Sequence, residues 1–195
     1  MIDVVYKLGI GSKFNNKELK YSLRSLKNFK NLGTIYIVGE KPHWIDKDIV
    51  VHIPASDPYA VNKDANLIQK LMLACNDFNL SEYFLNFSDD QLILKPIDFE
   101  YFKTPLINNK YLQDVSVPGK KLNRWQKRLK RTFDILKHNK LPYNCYEAHI
   151  PYLLNKFEYP KTLMGYDFGN DIGYVGNTLY FNTLKAKCKQ ITKFD

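Results

Sequence analysis

The sequence predicts an α/β fold in which a mainly parallel sheet is flanked by helices on both faces. Short runs rich in β-branched residues alternate with longer segments whose apolar residues recur every three or four positions. Their order is strand, helix, strand, strand, helix, strand. This order is typical of parallel sheets, because helices form the crossover connections between parallel strands.

The first half of the chain contains four predicted strands and two predicted helices. The strands are the apolar runs at 2–6, 34–38, 49–53 and 84–87. The first helix begins after Asn16, which we predict as its N-cap, and the second begins after Asp64, predicted in the same role. The first helix places one set of apolar residues at helical spacing, namely Leu19, Leu23, Leu26 and Phe29. Cys75 falls in the apolar pattern of the second helix and is predicted to be a core residue.

The second half is less regular. A third helix is predicted at about 122–138, and residues 143–154 show a mixed pattern. The segment 165–181 contains four glycines and is predicted to form loops with short strands. One apolar stripe is predicted along the third helix, made of Leu122, Trp125, Leu129, Phe133 and Leu136.

Length and composition limit the possible classes of protein. A chain of 195 residues with 45% hydrophobic and 25% charged residues fits one globular domain, predicted over residues 1–195. No apolar run approaches the ~20 residues that cross a bilayer. The opening residues carry no basic segment before an apolar run, so we expect no signal peptide and a cytoplasmic location. The three cysteines stand far apart, and a zinc site or disulfide framework is not expected.

The net charge of +9 is concentrated in one place. Residues 120–138 contain eight cations, Arg124 and Arg128 among them, and one acid, Asp134. This predicted basic helix is either a core helix with a solvated charged face or a docking surface for a polyanion such as nucleic acid. The lysine-rich composition as a whole is common in AT-rich genomes, including those of many phages, where the host cytoplasm would be the compartment.

Two adjacent carboxylates, Asp89 and Asp90, follow the strand at 84–87 directly. The carboxyl ends of parallel strands form the ligand crevice of such sheets, so the pair is predicted to lie at this crevice. Carboxylate oxygens suit Mg²⁺ or Mn²⁺, and such an ion could neutralise the phosphates of a nucleotide. A solvated turn, or an acid pair bridged to lysines, is the alternative.

Several segments together resemble a known family. They are IDVVY at 2–6, ELKYSLRSL at 18–26, IYIV at 35–38 followed by Pro42 and Trp44, FLNFSDDQLILKP at 84–96, and HIP at 149–151. In this order they resemble the Stealth family of sugar-phosphate transferases and, more broadly, GT-A-like nucleotide-sugar glycosyltransferases, including small phage-type proteins. The resemblance covers about the first 155 residues. The turn KLGIGSKF departs from the Trp- and Asp-containing turn of the Stealth family, so a nucleotide-sugar donor site is better supported than phosphotransfer.

The resemblance implies roles for individual residues. Asp90 would be a metal ligand and catalytic residue, and Asp89 a ligand or a contact to the donor ribose. His149 would be a further metal ligand or an acid–base group. Arg24, on the first helix, would be an internal partner of Glu18, of the acid pair or of a donor phosphate, and Glu18 would have a catalytic or positioning role. From the residues alone, Arg24 is instead a surface cation and Glu18 a charge that suits the helix dipole.

Further substrate contacts are predicted around the ends of the first strand and the second helix. Gly9 and Gly11 permit close approach of a nucleotide to the backbone. Lys63, at the start of the second helix, could bind a diphosphate with help from the helix N-terminus, and Asp64 beside it is a further predicted substrate contact. Plain capping of the helix by Asp64 is the alternative. The loop is not a dinucleotide-binding motif.

The predicted function is therefore metal-dependent transfer of a sugar from a nucleotide donor to an acceptor hydroxyl. A modified DNA base, bound through the basic helix and its Arg124 and Arg128, is the first acceptor considered, and a surface glycan the second. The alternatives are Stealth-type sugar-1-phosphate transfer, a nucleic-acid-binding protein without enzymatic activity, and a metal-dependent nuclease that uses the same acids.

Overall fold

The structure is a computed structural model, and it describes residues 1–9, 12, 14–108, 112 and 121–191. The regular elements in chain order are β1 (Ile2–Leu8), α1 (Lys17–Ser25), β2 (Leu32–Gly39), β3 (Val51–Ile53), α2 (Lys63–Cys75), β4 (Tyr83–Phe87), β5 (Leu106–Ile107), α3 (Arg124–His138), β6 (Tyr152–Asn155), α4 (Glu158–Leu163), α5 (Gly176–Thr183) and β7 (Lys189–Gln190). In the described part of the chain, no helix combines the length and apolar character that crossing a membrane requires.

The chain divides into two compact units. The first comprises Met1–Lys103 and His149–Pro160, and the second comprises Thr104–Ala148 and Lys161–Asp195. Each is described by itself below. The single domain predicted over residues 1–195 stays a prediction.

The first unit is built on a five-stranded sheet in the order β3-β2-β1-β4-β6. The pairs β1–β2, β1–β4 and β2–β3 are parallel, whereas β6 runs antiparallel to β4. The fold is therefore α/β with a mainly parallel sheet flanked by helices, as the element order predicts. The central strands are apolar on both faces, which is expected of strands covered by helices on each side.

A buried carboxylate anchors the amino end of the sheet. Asp3 Oδ1 accepts a hydrogen bond from Thr34 N at 2.7 Å, and its Oδ2 accepts from both Ser81 N and Ser81 Oγ at 2.8 Å. Asp3 is 5% exposed. Because three donors meet its two oxygens, this acid is a structural group that ties β1 to the starts of its two neighbouring strands.

Asn16 is confirmed at the N-cap position of α1, whereas Asp64 is wrong as the N-cap of α2. Asn16 occupies the N-cap position of α1, but its backbone is left-handed and its side chain makes no capping bond. Ser12 Oγ instead accepts from Asn16 N at 2.9 Å. Helix α2 begins at Lys63 and is capped by Asn62, which accepts from Ala65 N, so Asp64 lies in the first turn. A capping side chain needs an extended backbone at the N-cap, and the sequence does not show which residue adopts it.

The second unit contains α3, α5 and the short parallel pair of β5 and β7. Two predictions fail here. The most buried residues of α3 are Arg128, Thr132 and Leu136, whereas Trp125 of the predicted stripe is 42% exposed. The glycine-rich tail contains helix α5, in which five consecutive residues from Thr178 to Asn182 are buried. A helix buried all round has no apolar periodicity, and β-branched and aromatic residues weaken the helical signal further.

Candidate active site

The acid pair lies at the tip of a hydrogen-bonded turn that follows β4. Gln91 N donates to Ser88 O at 3.2 Å, and Ser88 N donates to Gln91 Oε1 at 2.9 Å. The main-chain bond and the side-chain bond together close the four residues Ser88–Gln91. Gln91 is buried, while Asp89 is half-buried and Asp90 is exposed. The turn therefore presents both carboxylates and anchors itself through the residue that follows them.

The position of this turn in the sheet favours ligand binding. In the order β3-β2-β1-β4, the chain fills one side of β1 with β2 and β3 and then crosses to the other side to form β4. Crevices for ligands form at such a reversal, outside the carboxyl ends of the strands. The pairing of Tyr6 with Phe87 places Gly9 and Asp89, each just beyond its strand, at the same edge.

His149, which lies just before β6, contacts the same turn. Its Nε2 lies 3.1 Å from Oδ2 of Asp90, and both side chains are more than half exposed. Asn86 pairs with Tyr152 across the antiparallel strands, so the residues just before β6 meet the residues just after β4. His149 has a φ of 51°, in the left-handed region. A non-glycine residue held there stores strain of order 1 kcal/mol, and such residues cluster at functional sites.

The electrostatic environment of Asp89 is unfavourable for a lone carboxylate. Burial is the largest cause that raises the pKa of Asp89, and the negative charges of Asp90 and Glu18 raise it further. A backbone hydrogen bond and the ammonium of Lys7 act in the opposite direction. Lys7 donates to Phe87 O at 2.9 Å and also bonds the Asn86 side chain. A cation bound at the turn would relieve the repulsion between the acids.

We tested whether the predicted ligands fit a metal ion. Among the residues that the structure describes, no three His, Cys, Asp or Glu side chains are grouped as a metal cluster. Asp89, Asp90 and His149 thus do not form a ready three-ligand cage. Mg²⁺ is commonly held by one or two carboxylates together with substrate phosphates and water, and an adjacent carboxylate pair fits this donor set.

A row of polar residues on α1 and the 3-10 turn that follows it holds the segment after the acids. Ser22 Oγ donates to Gln91 O at 2.6 Å, Ser25 Oγ accepts from Ile93 N at 3.0 Å, and Asn28 Nδ2 donates to Ile93 O at 2.7 Å. Our sequence reasoning missed these residues. Their spacing of three within ELKYSLRSLKN, which puts polar groups along one side of a helix, is the signal that could have found them.

In the structure, Glu18 lies on the side of α1 near the acid pair, whereas Arg24 points to solvent. Glu18 accepts from Ser12 Oγ at 3.2 Å and contributes to the raised pKa of Asp89. Arg24 is exposed, and its guanidinium makes no hydrogen bond or ion pair with any residue in the described ranges. The step of six positions from Glu18 to Arg24 along α1 turns the two side chains to different sides of the helix.

A cleft of about 410 Å³ lies at the end of β1 and the start of α2. Its lining residues are Gly9, Asp57, Tyr59, Ala60, Lys63, Asn66, Leu67 and Lys70. Gly9 and Lys63 were predicted as substrate contacts, and the fold brings them together here. Asp64 is not part of this lining, and Gly11 lies outside the described residues.

The cleft wall is built from buried polar groups. Lys70 is 1% exposed, donates to Leu8 O at 2.7 Å and forms an ion pair with Asp57. The Asn66 amide brackets the main chain of Tyr59, since Oδ1 accepts from Tyr59 N at 2.9 Å and Nδ2 donates to Tyr59 O at 3.1 Å. These contacts fix the loop after β3 against α2, so the cleft is preformed.

The two arginines predicted to contact an acceptor are engaged within the second unit. Arg124 Nη2 donates to Asp171 O at 2.7 Å, and Arg128 Nε donates to Ile172 O at 2.8 Å. Arg128 is 6% exposed, and its burial lowers the pKa of its guanidinium. Its main contact is thus internal, and the basic face of α3 consists of fewer accessible cations than the sequence suggests.

The comparisons with known proteins assign the chain to no family. No protein-family model matches the chain, and a search of curated proteins found no match.

Proposed function

We propose that the chain is a nucleotide-sugar-dependent glycosyltransferase whose donor binds at the carboxyl edge of the sheet in the first unit. One observation carries the proposal. The Asp89–Asp90 turn, contacted by His149, follows the strand beside β1, and the end of β1 lines a cleft that also contains two lysines. Carboxylates for a cation and the exposed ammonium group of Lys63 for a phosphate therefore occupy one edge of one sheet, while Lys70 is buried against Asp57.

The nucleoside and the diphosphate of the donor would bind at two neighbouring places along this edge of the sheet. The nucleoside would enter the cleft beside Tyr59 and Leu67, which offer apolar surface, while Lys63 would meet the diphosphate at the N-terminus of α2. Asp89 and Asp90 would hold Mg²⁺ or Mn²⁺ against the same diphosphate. When bound, such an ion supplies charge stabilisation for the leaving phosphate.

The reaction would transfer the sugar to a hydroxyl group. The acceptor oxygen forms a bond to the anomeric carbon, the bond from that carbon to the phosphate oxygen breaks, and the nucleoside diphosphate leaves with the electron pair. The acceptor proton passes to a base. His149, in contact with Asp90, is proposed for this step in its neutral form. The acceptor proposed first is a modified DNA base and the second a surface glycan.

A thermal-shift panel of UDP-, GDP-, CDP- and ADP-sugars, each with and without Mn²⁺, tests the donor site. A ligand at about a hundred times its Kd stabilises a protein by about 2.7 kcal/mol. For a chain of this size each kcal/mol raises Tm by about 2–4 °C, so we expect a shift of about 5–11 °C. The shift should require the metal and should vanish in Asp90→Asn. Asp48→Asn, which neutralises an exposed acid before β3, is the matched control.

Two outcomes would overturn the proposal. One is that no nucleotide sugar stabilises the protein with either metal. The other is that Asp90→Asn leaves the donor shift unchanged. Cleavage of DNA with Mg²⁺ and no sugar donor, abolished by Asp90→Asn, would assign the acids to a nuclease instead.

A further inference from the structure

A strip of exposed apolar side chains lies directly beside the acid turn. Leu94 is 85% exposed, Leu92 is 49% exposed and Tyr21 of α1 is 62% exposed. The two leucines follow Asp90 by two and four residues. We call Tyr21, Leu92 and Leu94 the leucine strip.

The leucines cannot turn inward, because the residues between them are fixed. Gln91 and Ile93 are buried, and the main chain at these two positions is bonded to Ser22, Ser25 and Asn28. Successive side chains of an extended segment point to opposite sides, so Leu92 and Leu94 must project away from α1. Their exposure is a consequence of the same contacts that hold the acid turn.

The surface around the strip is cationic. The exposed cations Lys17, Lys20 and Arg24 lie on α1, Lys27 lies just beyond its end, and Lys95 follows Leu94 directly. Arg24 and Tyr21 precede the two serines that bind the extended segment, and the helical pitch places both on the exposed side of α1 next to those serines.

The nearest acids are Asp89 and Asp90 in the turn itself, and together with Glu18 they are outnumbered by the five cations of this surface. Glu18 is the only acid on α1, and it is bonded to Ser12. Beyond Pro96, Asp98 accepts from Glu100 N and Glu100 is paired with Lys103.

We propose that the leucine strip and the cations of α1 bind the surface of an anionic lipid bilayer. Exposed aliphatic side chains ringed by lysine and arginine, with a tyrosine at the border, are the composition that suits the headgroup region of a membrane. The cations would contact lipid phosphates while Leu92 and Leu94 enter the apolar boundary. This occupant explains Arg24, whose guanidinium has no carboxylate partner among the residues that the structure describes.

Nucleic acid fits this surface less well. Lysine and arginine would contact its phosphates, but the exposed aliphatic side chains of Leu92 and Leu94 would gain nothing from a phosphodiester backbone. The α1 surface also differs from α3, where arginine donors are used by main-chain carbonyls. The bilayer is therefore the partner that uses both the charge and the apolar area.

The inference is independent of the transferase proposal, since it needs neither donor nor metal. If both hold, the acid turn works next to a membrane, and the acceptor hydroxyl would be carried by a lipid or by a glycan at the bilayer. The membrane assay and the donor thermal-shift assay can fail separately.

Sedimentation with vesicles tests the proposal on the full chain. We expect binding to vesicles of phosphatidylcholine with about a third phosphatidylglycerol, weakened by raising salt, and little binding to phosphatidylcholine alone. Replacing both leucines, in Leu92→Asn/Leu94→Asn, should lower the partition coefficient by about tenfold. Arg24→Gln should lower it by about fivefold.

Matched controls distinguish binding through the leucine strip from binding through any exposed apolar side chain or any exposed cation. Phe78→Asn removes an aromatic side chain that is 93% exposed elsewhere in the first unit, and Lys127→Gln removes an exposed cation from α3. Both should bind vesicles as the parent chain does. The double leucine variant should keep the circular-dichroism spectrum and the cooperative thermal unfolding of the parent, which shows that the variant is folded whether or not a donor binds.

Three results would overturn the inference. The parent chain could bind neutral and anionic vesicles equally, or not at all. The double leucine variant could bind anionic vesicles as tightly as the parent. A fluorescent DNA oligonucleotide could bind more tightly than the vesicles, with affinity that falls in Arg24→Gln and is unchanged in the leucine variant, which would assign the surface to nucleic acid.

Discussion

Replacing Ser22 by alanine removes the hydroxyl that joins β1 to the segment after the acid turn. Ser22 Oγ lies 2.8 Å from Tyr6 Oη and 2.6 Å from Gln91 O. A serine hydroxyl has one hydrogen, which goes to the carbonyl, so Tyr6 donates in the other bond. Burial raises the pKa of Tyr6 far above its usual value, and the phenol is therefore a donor at neutral pH.

The expected cost follows from the burial of the three groups. Tyr6 and Ser22 are 0% exposed and Gln91 is 8% exposed. In Ser22→Ala, two buried polar atoms lose their partners, and each such loss costs about 1–3 kcal/mol. We expect the free energy of unfolding to fall by about 3 kcal/mol. With about 2–4 °C per kcal/mol for a chain of this size, Tm should fall by about 6–12 °C.

A double-mutant cycle with Tyr6→Phe makes the prediction specific. In Tyr6→Phe the Ser22 hydroxyl keeps its donor role, so the cost should be about 1 kcal/mol. In the double variant only the Gln91 carbonyl loses its partner, so the two changes should cost about 1–2 kcal/mol less than their sum. Urea unfolding of the four proteins measures this, with Ser56→Ala, an exposed serine, as the control at under about 0.5 kcal/mol.

The same variant links stability to the proposed site. Because Ser22 holds the main chain at Gln91, which in turn closes the acid turn, Ser22→Ala should also reduce the metal-dependent thermal shift by a nucleotide sugar. The reasoning is refuted if Ser22→Ala costs less than about 0.5 kcal/mol, or if the two changes are additive within the error of about 0.3–0.5 kcal/mol expected for independent sites.

Three further predictions follow from buried or crowded charges. Asp3→Ala should lower the free energy of unfolding, measured by urea unfolding, by about 3–5 kcal/mol because three donors lose their acceptor. Asp134→Ala, which breaks an exposed ion pair on α3, should lower it by only about 0.3–0.5 kcal/mol. Equal losses in the two variants would contradict this reasoning. The pKa of Asp89 is raised in the folded protein, so its ionised carboxylate destabilises the fold fully above the raised pKa and not at all below the ordinary one. Asp89→Asn should therefore raise Tm of the ligand-free protein at about pH 7 but not at about pH 3. A variant whose Tm equals that of the parent at both pH values would refute the assigned direction. Asp57→Ala should cost about 2–3 kcal/mol because Lys70 is left buried and unpaired, and adding Lys70→Met should recover part of that loss if the ion pair is the cause.

The local patterns predicted the four parallel strands and helices α1 and α2 of the first unit, but not its antiparallel strand β6. The apolar runs predicted β1 to β4, and three of the four apolar residues predicted on the buried side of α1 and the turn after it are at most 5% exposed, namely Leu19, Leu26 and Phe29. The placement of the acids at the carboxyl end of β4 also followed, because strand direction in a parallel sheet is set by the order of elements. The assignment of a glycosyltransferase stays a prediction.

The contacts that make the site could not be read from the sequence. His149 lies 59 positions after Asp90, and an antiparallel edge strand brings it back, which no local pattern announces. Arg128 resembled a surface cation because its neighbours are basic, yet it is buried where main-chain carbonyls are available to accept its hydrogen bonds.

What the sequence alone determined was the class of fold and the edge of the sheet at which the acids emerge, because periodicity and element order are local properties. Only the tertiary structure decided which side chains meet there. Partners such as Ser22 with Gln91, Lys70 with Asp57 and His149 with Asp90 are chosen by packing between distant segments, where a buried polar group must find a partner and the chain order does not say which.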